Sequence, residues 1–250
     1  MRTLVAIPVF NEERYLSRVL AQVLRLTDDV VVVDDGSTDA TADILRRMPR
    51  VDVIRHPSNL GYGQSLMDAF QYARQHRYEW VITMDCDDQH EPARIPAFIE
   101  RAERDDADIV SGSRYLTEIP GNTEAPADRR RINRTVTRMI NKVLQLPLTD
   151  AFCGFKAHRV SAMQRLCLSV QGYAFPLQFW VQAARHGLRV CELPVRLIYH
   201  DPSRYFGGRL DDPASRLQHY VDVFLTELRR TPAGMRPPPN LCGAASLCDE

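Results

Sequence analysis

A group of acidic and polar side chains follows an apolar run, and their spacing could bind a metal ion. The run Trp80–Met84 predicts a buried strand, and it ends abruptly in Asp85, Asp87, Gln89 and His90. Carboxylate and amide oxygens at this spacing suit a hard divalent cation, which usually also holds substrate phosphates. The alternative is a polar turn that only carries the chain away from the strand. This pattern is short, so the surrounding elements have to decide between the two interpretations.

A second acidic pair follows another predicted strand. The β-branched run Val30–Val33 is typical of a strand buried on both faces, and Asp34 and Asp35 come directly after it. Carboxylates can accept hydrogen bonds from ribose hydroxyls and from the edge of a base, so the two acidic groups together describe a nucleotide-diphosphate site. The pair could instead be an ordinary turn before a helix. The glycine pattern of a dinucleotide-binding fold is absent after the first predicted strand, where Pro8–Glu12 stands instead.

Predicted strands and helices alternate along the first half of the chain. The strands are predicted at Leu4–Val9, Val30–Val33, Val51–Arg55, Trp80–Met84 and Asp108–Ser111. Four helices are predicted between them. The first has Asn11 as its N-cap, and the second ends at about Met48. The third spans Ser65–His76, and the fourth runs from Pro92 to about Arg104. This alternation predicts an α/β fold with a mostly parallel central sheet flanked by helices. In such a sheet ligands bind at the carboxyl ends of the strands, where both acidic groups would lie.

The second half of the chain has a looser pattern. Helices are predicted at Asp128–Leu146, from Arg159, at Phe175–His186 and at Ala214–Arg230. A short strand-like piece is predicted at Thr149–Ala157 and a strand at Leu188–Ile198. The proline-containing stretch 231–250 is predicted to be a disordered tail.

Composition excludes several classes of protein. The 250 residues carry 32 basic and 32 acidic side chains, so no global charge attracts nucleic acid. The six cysteines lack paired metal-type spacing, which favours reduced thiols in a cytosolic protein. No run approaches the roughly 18 apolar residues of a membrane span. Because a strand follows Met1 almost at once, we expect no signal peptide and a cytoplasmic location.

Several motifs occur in the order that identifies a known enzyme family. They are Ile7–Glu12, Val31–Asp39, Asn59–Gly61, Met84–Asp87 and Gly112–Tyr115. Together they resemble family 2 glycosyltransferases of the GT-A fold, and most closely polyprenol (dolichol) phosphate mannosyl- and glucosyltransferases. The resemblance covers roughly residues 3–200. It implies one GT-A domain over residues 1–230, with a nucleotide-sugar-binding half at 1–115 and an acceptor half with the C-terminal helix at 116–230.

The resemblance also implies a reaction. It is a single inverting displacement in which an acceptor attacks the anomeric carbon of a UDP- or GDP-linked sugar with the help of Mg²⁺ or Mn²⁺. By their match to the family motifs, the residues that would bind the nucleotide sugar are Pro8, Phe10, Glu12, Asp34, Asp35, Gly61 and Asp85. The metal would be held by Asp87 and Gln89. The catalytic set would be Asp87, Arg114 and Arg204, and the acceptor would be bound by Arg114, Arg134 and Lys156.

The identity of the acceptor depends on one departure from the family pattern. A sugar hydroxyl needs a general base, and Gln178 stands where hydroxyl-directed relatives typically have an acid. A phosphate monoester arrives largely as a dianion and needs cations to position it instead. We therefore predict a polyprenyl phosphate acceptor at the membrane surface, with the protein peripheral at the inner membrane face. A hydroxyl acceptor with Asp150, His200 or Asp201 as base, and a catalytically silent nucleotide-sugar-binding protein, are the alternatives.

Basic residues recur every four positions along the helix predicted at Asp128–Leu146. They are Arg130, Arg134, Arg138 and Lys142. Such a row is consistent with a solvated face above a core stripe. It is also consistent with a helix against anionic lipid headgroups or with arginines that bind the acceptor phosphate.

Overall fold

The computed structural model describes residues 1–199 and 207–230 and contains a seven-stranded sheet. The strands are β1 Thr3–Val9, β2 Val30–Asp34, β3 Asp52–Arg55, β4 Trp80–Thr83, β5 Ile109–Ser113, β6 Lys156–Arg159 and β7 Val190–Pro194. Their order across the sheet is β3-β2-β1-β4-β6-β5-β7. Only β6 runs antiparallel to its neighbours, so the predicted mostly parallel sheet is confirmed. The predicted piece Thr149–Ala157 is strand only from Lys156 onward.

Helices cover the sheet in the predicted alternation. They are α1 Leu16–Val23, α2 Thr41–Leu45, α3 Tyr62–Gln75, α4 Ile95–Glu103, α5 Ala127–Leu144, α6 Val160–Met163, α7 Phe175–Arg185 and α8 Pro213–Arg229. Short 3₁₀ turns occur at Pro92–Arg94 and Gly208–Asp211. None of the helices in the described ranges is long and apolar enough to cross a membrane.

The core has two layers because successive strand residues point to opposite faces of the sheet. Leu4 and Ala6 of β1 belong to the layer that α3, α5, α7 and α8 cover. Val5 and Ile7 belong to the other layer, against α1 and α4. This burial on both faces explains why the central strands β1, β2 and β4 are mostly apolar runs rather than alternating ones. Cys86, Cys153, Cys167 and Cys191 of the described chain form no disulfide.

The turn after β1 differs from its prediction. Asn11 does not cap α1, which begins only at Leu16. Asn11 has a left-handed backbone with φ 56°, and its Oδ1 accepts hydrogen bonds from the backbone N–H groups of Thr38 at 2.8 Å and Asp39 at 3.3 Å. The side chain therefore ties the turn after β1 to the turn after β2. That link fixes both turns at the same edge of the sheet.

Candidate active site

A cavity of about 780 Å³ opens at the edge of the sheet where β1, β2, β4 and β5 end. The predicted site residues in its lining are Pro8, Phe10, Glu12, Asp35, Gly61, Asp85, Asp87, Gln89 and Arg114. The sheet therefore brings together, in one cavity, turns that are far apart in sequence. This is the carboxyl edge at which the sequence placed both acidic groups.

Asp85 is held against a glycine and a tyrosine. The hydroxyl of Tyr62 donates to Asp85 Oδ1 at 3.1 Å. A Cβ atom at Gly154 would lie only 2.5 Å from Asp85 Oδ2, so any side chain there would displace the carboxylate. Burial and the adjacent Asp85 raise the pKa of Tyr62 well above its usual range, and its hydroxyl therefore keeps the proton it donates. The backbone N–H of Asp85 donates to His90 Nδ1 at 2.9 Å, and this hydrogen bond joins the two ends of the turn after β4.

The two remaining acids of this turn point in different directions. Asp87 Oδ1 accepts a hydrogen bond from the backbone N–H of Gln89 at 3.1 Å, and both residues line the cavity. Asp88 has φ 62° and instead pairs with Arg18, with 2.5 Å between Nη2 and Oδ2. The sequence does not distinguish these adjacent acids. Asp88 differs from Asp87 in its left-handed backbone as well as in its partner.

The oxygen donors at this turn fit a hard cation that a substrate would help to hold. Within residues 1–199 and 207–230, no cluster of three or more acidic, histidine or cysteine side chains is arranged to enclose a metal ion. Mg²⁺ commonly binds through one or two carboxylates together with substrate phosphates and water, rather than in a cage of protein ligands. Asp87 and Gln89 offer a carboxylate and an amide oxygen of this kind, and they line the same cavity as Asp85.

Asp35 lies in a hydrogen-bond relay that the sequence analysis missed. Its Oδ1 lies 2.7 Å from His56 Nδ1, and His56 Nε2 lies 2.9 Å from Asp68 Oδ2. The backbone N–H groups of Leu60 and Gly61 donate to the two oxygens of Asp35 at 2.7 and 2.9 Å. No local pattern pairs a histidine with acids 21 and 12 residues away, so only the fold could identify His56.

Arg114 and Asp150 form a buried, bidentate ion pair beside the cavity. Arg114 Nε lies 2.6 Å from Asp150 Oδ2, and Nη2 lies 3.0 Å from Oδ1. Asp150 is fully buried and also accepts from Asn133 Nδ2 at 2.8 Å. Burial opposes charge on both groups, but their mutual attraction outweighs it, so the pKa of Asp150 is lowered and that of Arg114 is raised. Asp150 therefore stays ionised and is a poor proton acceptor near neutral pH.

Asp34, which was predicted to help bind the nucleotide sugar, does not line the cavity. Asp34 is fully buried, and its Oδ1 accepts from the backbone N–H of Ser37 at 2.9 Å. Its Oδ2 lies 3.4 Å from Arg55 Nε. The side chain thus stabilises the turn after β2, while its neighbour Asp35 faces the cavity.

Two predicted acceptor residues also lie elsewhere. Arg134 is exposed on the outer face of α5 and is absent from the cavity lining. Lys156 is buried on β6, where Nζ donates to the carbonyl of Cys153 and lies 5.6 Å from the centre of the Trp180 ring. Burial lowers the pKa of Lys156. Arg204, the alternative bases His200 and Asp201, and the predicted tail 231–250 lie outside the described residues.

Gln178 is a structural residue. It is fully buried on α7, and its Oε1 accepts from the backbone N–H groups of Ser169 at 2.7 Å and Val170 at 2.8 Å. Its Nε2 donates to Glu227 of α8 at 2.9 Å. Gln178 is not part of the cavity lining, so the position that suggested a missing general base does not face the site at all.

Several cavity residues come from α5 and α8 and were not predicted. They include Arg129, Asn133, Arg216, His219 and Tyr220. Arg216 is almost fully buried, with its Nη2 2.5 Å from Asp128 Oδ2 and its Nη1 2.9 Å from the carbonyl of Leu210. The guanidinium of Arg129 lies 5.3 Å from the centre of the Tyr199 ring. The helical pattern of these segments predicts the helices but not which polar residues face a ligand.

Comparison with known proteins identifies the family. The model of Glycosyl transferase family 2 matches residues 4–167. The chain is 30% identical over 224 residues to an undecaprenyl-phosphate mannosyltransferase of Micrococcus luteus, covering 83% of this chain and 89% of that protein. It is 29% identical over 206 residues to a polyprenol monophosphomannose synthase of Mycolicibacterium smegmatis, covering 78% of this chain and 76% of that protein.

Solved structures share the fold. Glucosyl-3-phosphoglycerate synthase from Mycobacterium tuberculosis in complex with UDP matches with a TM-score of 0.66 and 17% identity, covering 90% of this chain and 79% of that one. The same enzyme with Mn²⁺, UDP and phosphoglyceric acid matches with a TM-score of 0.67 and 18% identity, covering 93% and 80%. The resemblance predicted from the motifs is therefore confirmed. The chain belongs to glycosyl transferase family 2, has the GT-A fold and is a glycosyltransferase.

Proposed function

We propose that this glycosyltransferase moves a sugar, with inversion, from a UDP- or GDP-linked donor to the phosphate of a polyprenyl phosphate, and that it requires Mg²⁺ or Mn²⁺. The names of the two bacterial relatives support this class of acceptor. The observation that carries the proposal is the ion pair of Arg114 with Asp150, since it presents a cation to the cavity and removes a carboxylate from base catalysis.

Residues 1–115 would bind the donor. Asp35 and Gly61 would contact the nucleoside, together with Pro8, Phe10 and Glu12 of the first turn. Asp85 would accept a hydrogen bond from the ribose or the donor sugar. Asp87 and Gln89 would hold the cation, which when bound supplies a Lewis acid that neutralises the charge developing on the leaving diphosphate.

Residues 116–230 would supply the acceptor side together with Arg114. A phosphate monoester has a second pKa of about 6 and is largely dianionic near neutral pH, so it needs no proton acceptor. It needs cations in fixed positions, and Arg114 is fixed by two hydrogen bonds to Asp150. A fork-shaped guanidinium is well suited to a phosphate because it can donate two parallel hydrogen bonds. Arg129 and Arg216 also line the cavity, and Arg216 is paired with Asp128.

Transfer to a hydroxyl is the second candidate function, and one residue favours it. His219 lies exposed on α8 at the cavity, where an imidazole could accept a proton from a sugar or protein hydroxyl. Asp150 and Gln178 are excluded from that role by their contacts. Transfer to a hydroxyl would therefore require His219 as a base, whereas transfer to a phosphate would not.

Matched acceptors will distinguish the two functions. With one nucleotide-sugar donor and Mn²⁺, we expect transfer to a short-chain polyprenyl phosphate and none to the corresponding polyprenol or to glycan hydroxyls. The variant His219→Ala should retain this transfer within about threefold, because a phosphate dianion needs no base. Robust transfer to a hydroxyl acceptor that His219→Ala abolishes would establish the second function instead. Donor binding without turnover on any acceptor would indicate a nucleotide-sugar-binding protein.

The relay behind Asp35 gives a separate prediction for donor binding. Replacing His56 with glutamine should weaken nucleotide affinity about tenfold, because one amide cannot bridge both Asp35 and Asp68 and a charge-assisted hydrogen bond is worth about 1.5 kcal/mol or more. The variant Asp68→Asn should have a smaller effect, because His56 can still donate to Asp35. Calorimetry with UDP and GDP measures both. Equal affinity of His56→Gln and the wild type, with unchanged melting temperature, would show that the relay does not position Asp35.

A further inference from the structure

The outer face of α5 is a continuous stripe of positive charge. Its exposed side chains include five cations, Arg130, Arg131, Arg134, Arg138 and Lys142. At 1.5 Å per residue the stripe is about 18 Å long. None of the five pairs with a carboxylate of the described chain, and the one acid of the helix, Asp128, bonds to Arg216. We name these five residues the basic stripe.

The fold fixes the direction in which the basic stripe points. Ile132, Val136, Ile140 and Leu144 are buried on the opposite side of α5 and pack into the core that α7 and α8 share. The helix cannot rotate without exposing these apolar side chains to water. Like charges one turn apart also repel each other by a few tenths of a kcal/mol per pair, so the stripe is an unfavourable arrangement for an isolated helix. A partner with negative charge would relieve that repulsion.

We propose that the basic stripe docks the enzyme on the surface of an anionic lipid bilayer. This inference rests on the proposed function, because a bilayer is the source of a polyprenyl phosphate. The same helix lines the cavity through Arg129, Ile132 and Asn133, so a membrane docked along the stripe would contact an element that also forms the proposed acceptor site. The chemistry of the stripe favours headgroups over single-stranded nucleic acid, because none of its exposed residues is an aromatic on which a base could stack.

Vesicle binding of a neutralised stripe tests the proposal. The variant carries Arg131→Gln, Arg138→Gln and Lys142→Gln, none of which lines the cavity. Each cation near an anionic surface is worth about 1 kcal/mol, so we expect about a 100-fold weaker partition onto vesicles that contain 30% phosphatidylglycerol. The wild type should bind these vesicles, should not bind pure phosphatidylcholine, and should lose binding as salt is raised.

A matched control removes the same number of charges elsewhere. Arg25, Arg47 and Arg74 are exposed on or next to α1, α2 and α3, and the triple change of these residues to glutamine should leave vesicle binding unchanged. A second variant, Arg131→Lys with Arg138→Lys, should also bind normally, because a lipid surface responds to charge and not to the shape of the guanidinium. Equal binding by the neutralised variant and the wild type would overturn the proposal. Stronger retention on duplex DNA than on the vesicles at the same salt would overturn it as well.

Activity on two forms of the acceptor separates this inference from the proposed function. The neutralised variant should glycosylate a water-soluble short-chain polyprenyl phosphate like the wild type, but a long-chain one in anionic vesicles much more slowly. If the wild type used neither form, the proposed function would fail, while its vesicle binding would still report on the stripe. Equal loss on both forms would place these cations in catalysis and would contradict docking.

Discussion

Replacing Asp87 with alanine is expected to reduce sugar transfer on the order of 1,000-fold and to abolish the metal dependence of nucleotide binding. Asp87 lines the cavity at the end of β4, where its carboxylate is the proposed protein ligand of the cation. Losing a cation that neutralises a leaving diphosphate removes several kcal/mol of transition-state stabilisation. Calorimetry with UDP or GDP, with and without Mn²⁺, and steady-state transfer measure the two effects.

The neighbouring acid provides the control. Asp88 pairs with Arg18 outside the cavity lining, so Asp88→Ala should keep Mn²⁺-dependent binding and transfer within about twofold. Both variants should fold, because neither carboxylate lies in the core. Normal Mn²⁺-dependent affinity and turnover in Asp87→Ala would refute the metal assignment. A loss of activity in Asp88→Ala of the same size would show that the turn as a whole, and not one ligand, is required.

The sequence predicted the central strands well because β1, β2 and β4 are buried on both faces. The β-branched run Val30–Val33 is typical of a strand buried on both faces, and the structure has β2 there. The acids that follow such strands must leave the sheet at its edge, and Asp35, Asp85 and Asp87 line the cavity there. Asp34 is the last residue of β2, and successive strand residues point to opposite faces, so the sequence does not say which of the two adjacent acids faces the cavity.

The acceptor side was predicted less well because it is built from helix surfaces. Along α5 the sequence shows a periodic row of cations, but the rotation of the helix about its axis depends on contacts with α7 and α8. That rotation leaves Arg134 in solvent and points Asn133 into the cavity. Lys156 was misplaced for a related reason. Its strand inserts antiparallel between β4 and β5, which buries the side chain beneath Trp180.

Breaking the pair of Arg114 with Asp150 is expected to have the largest effect on stability. Residue 150 is fully buried, and the change Asp150→Asn leaves the guanidinium of Arg114 without its counter-ion. Removing one partner of a buried ion pair lowers the free energy of unfolding by about 3–5 kcal/mol. Transfer should fall as well, because Arg114 would no longer be held in one orientation. The exposed pair of Asp43 with Arg46 is the matched control, and Asp43→Asn should change the free energy of unfolding by less than about 1 kcal/mol.

The pH dependence of unfolding identifies the ion pair as the cause. The pKa of Asp150 is lowered in the folded protein, whereas an unfolded aspartate has a pKa of about 3.9. The stabilisation from its ionised form is therefore complete well above pH 4, and it is lost as the pH falls through 3.9 toward the folded value. The difference in unfolding free energy between the wild type and Asp150→Asn should be largest near pH 7 and shrink below about pH 4. A difference that stays constant from pH 7 to pH 3 would mean that asparagine disturbs packing or the hydrogen bond from Asn133, and that the charge of Asp150 contributes little.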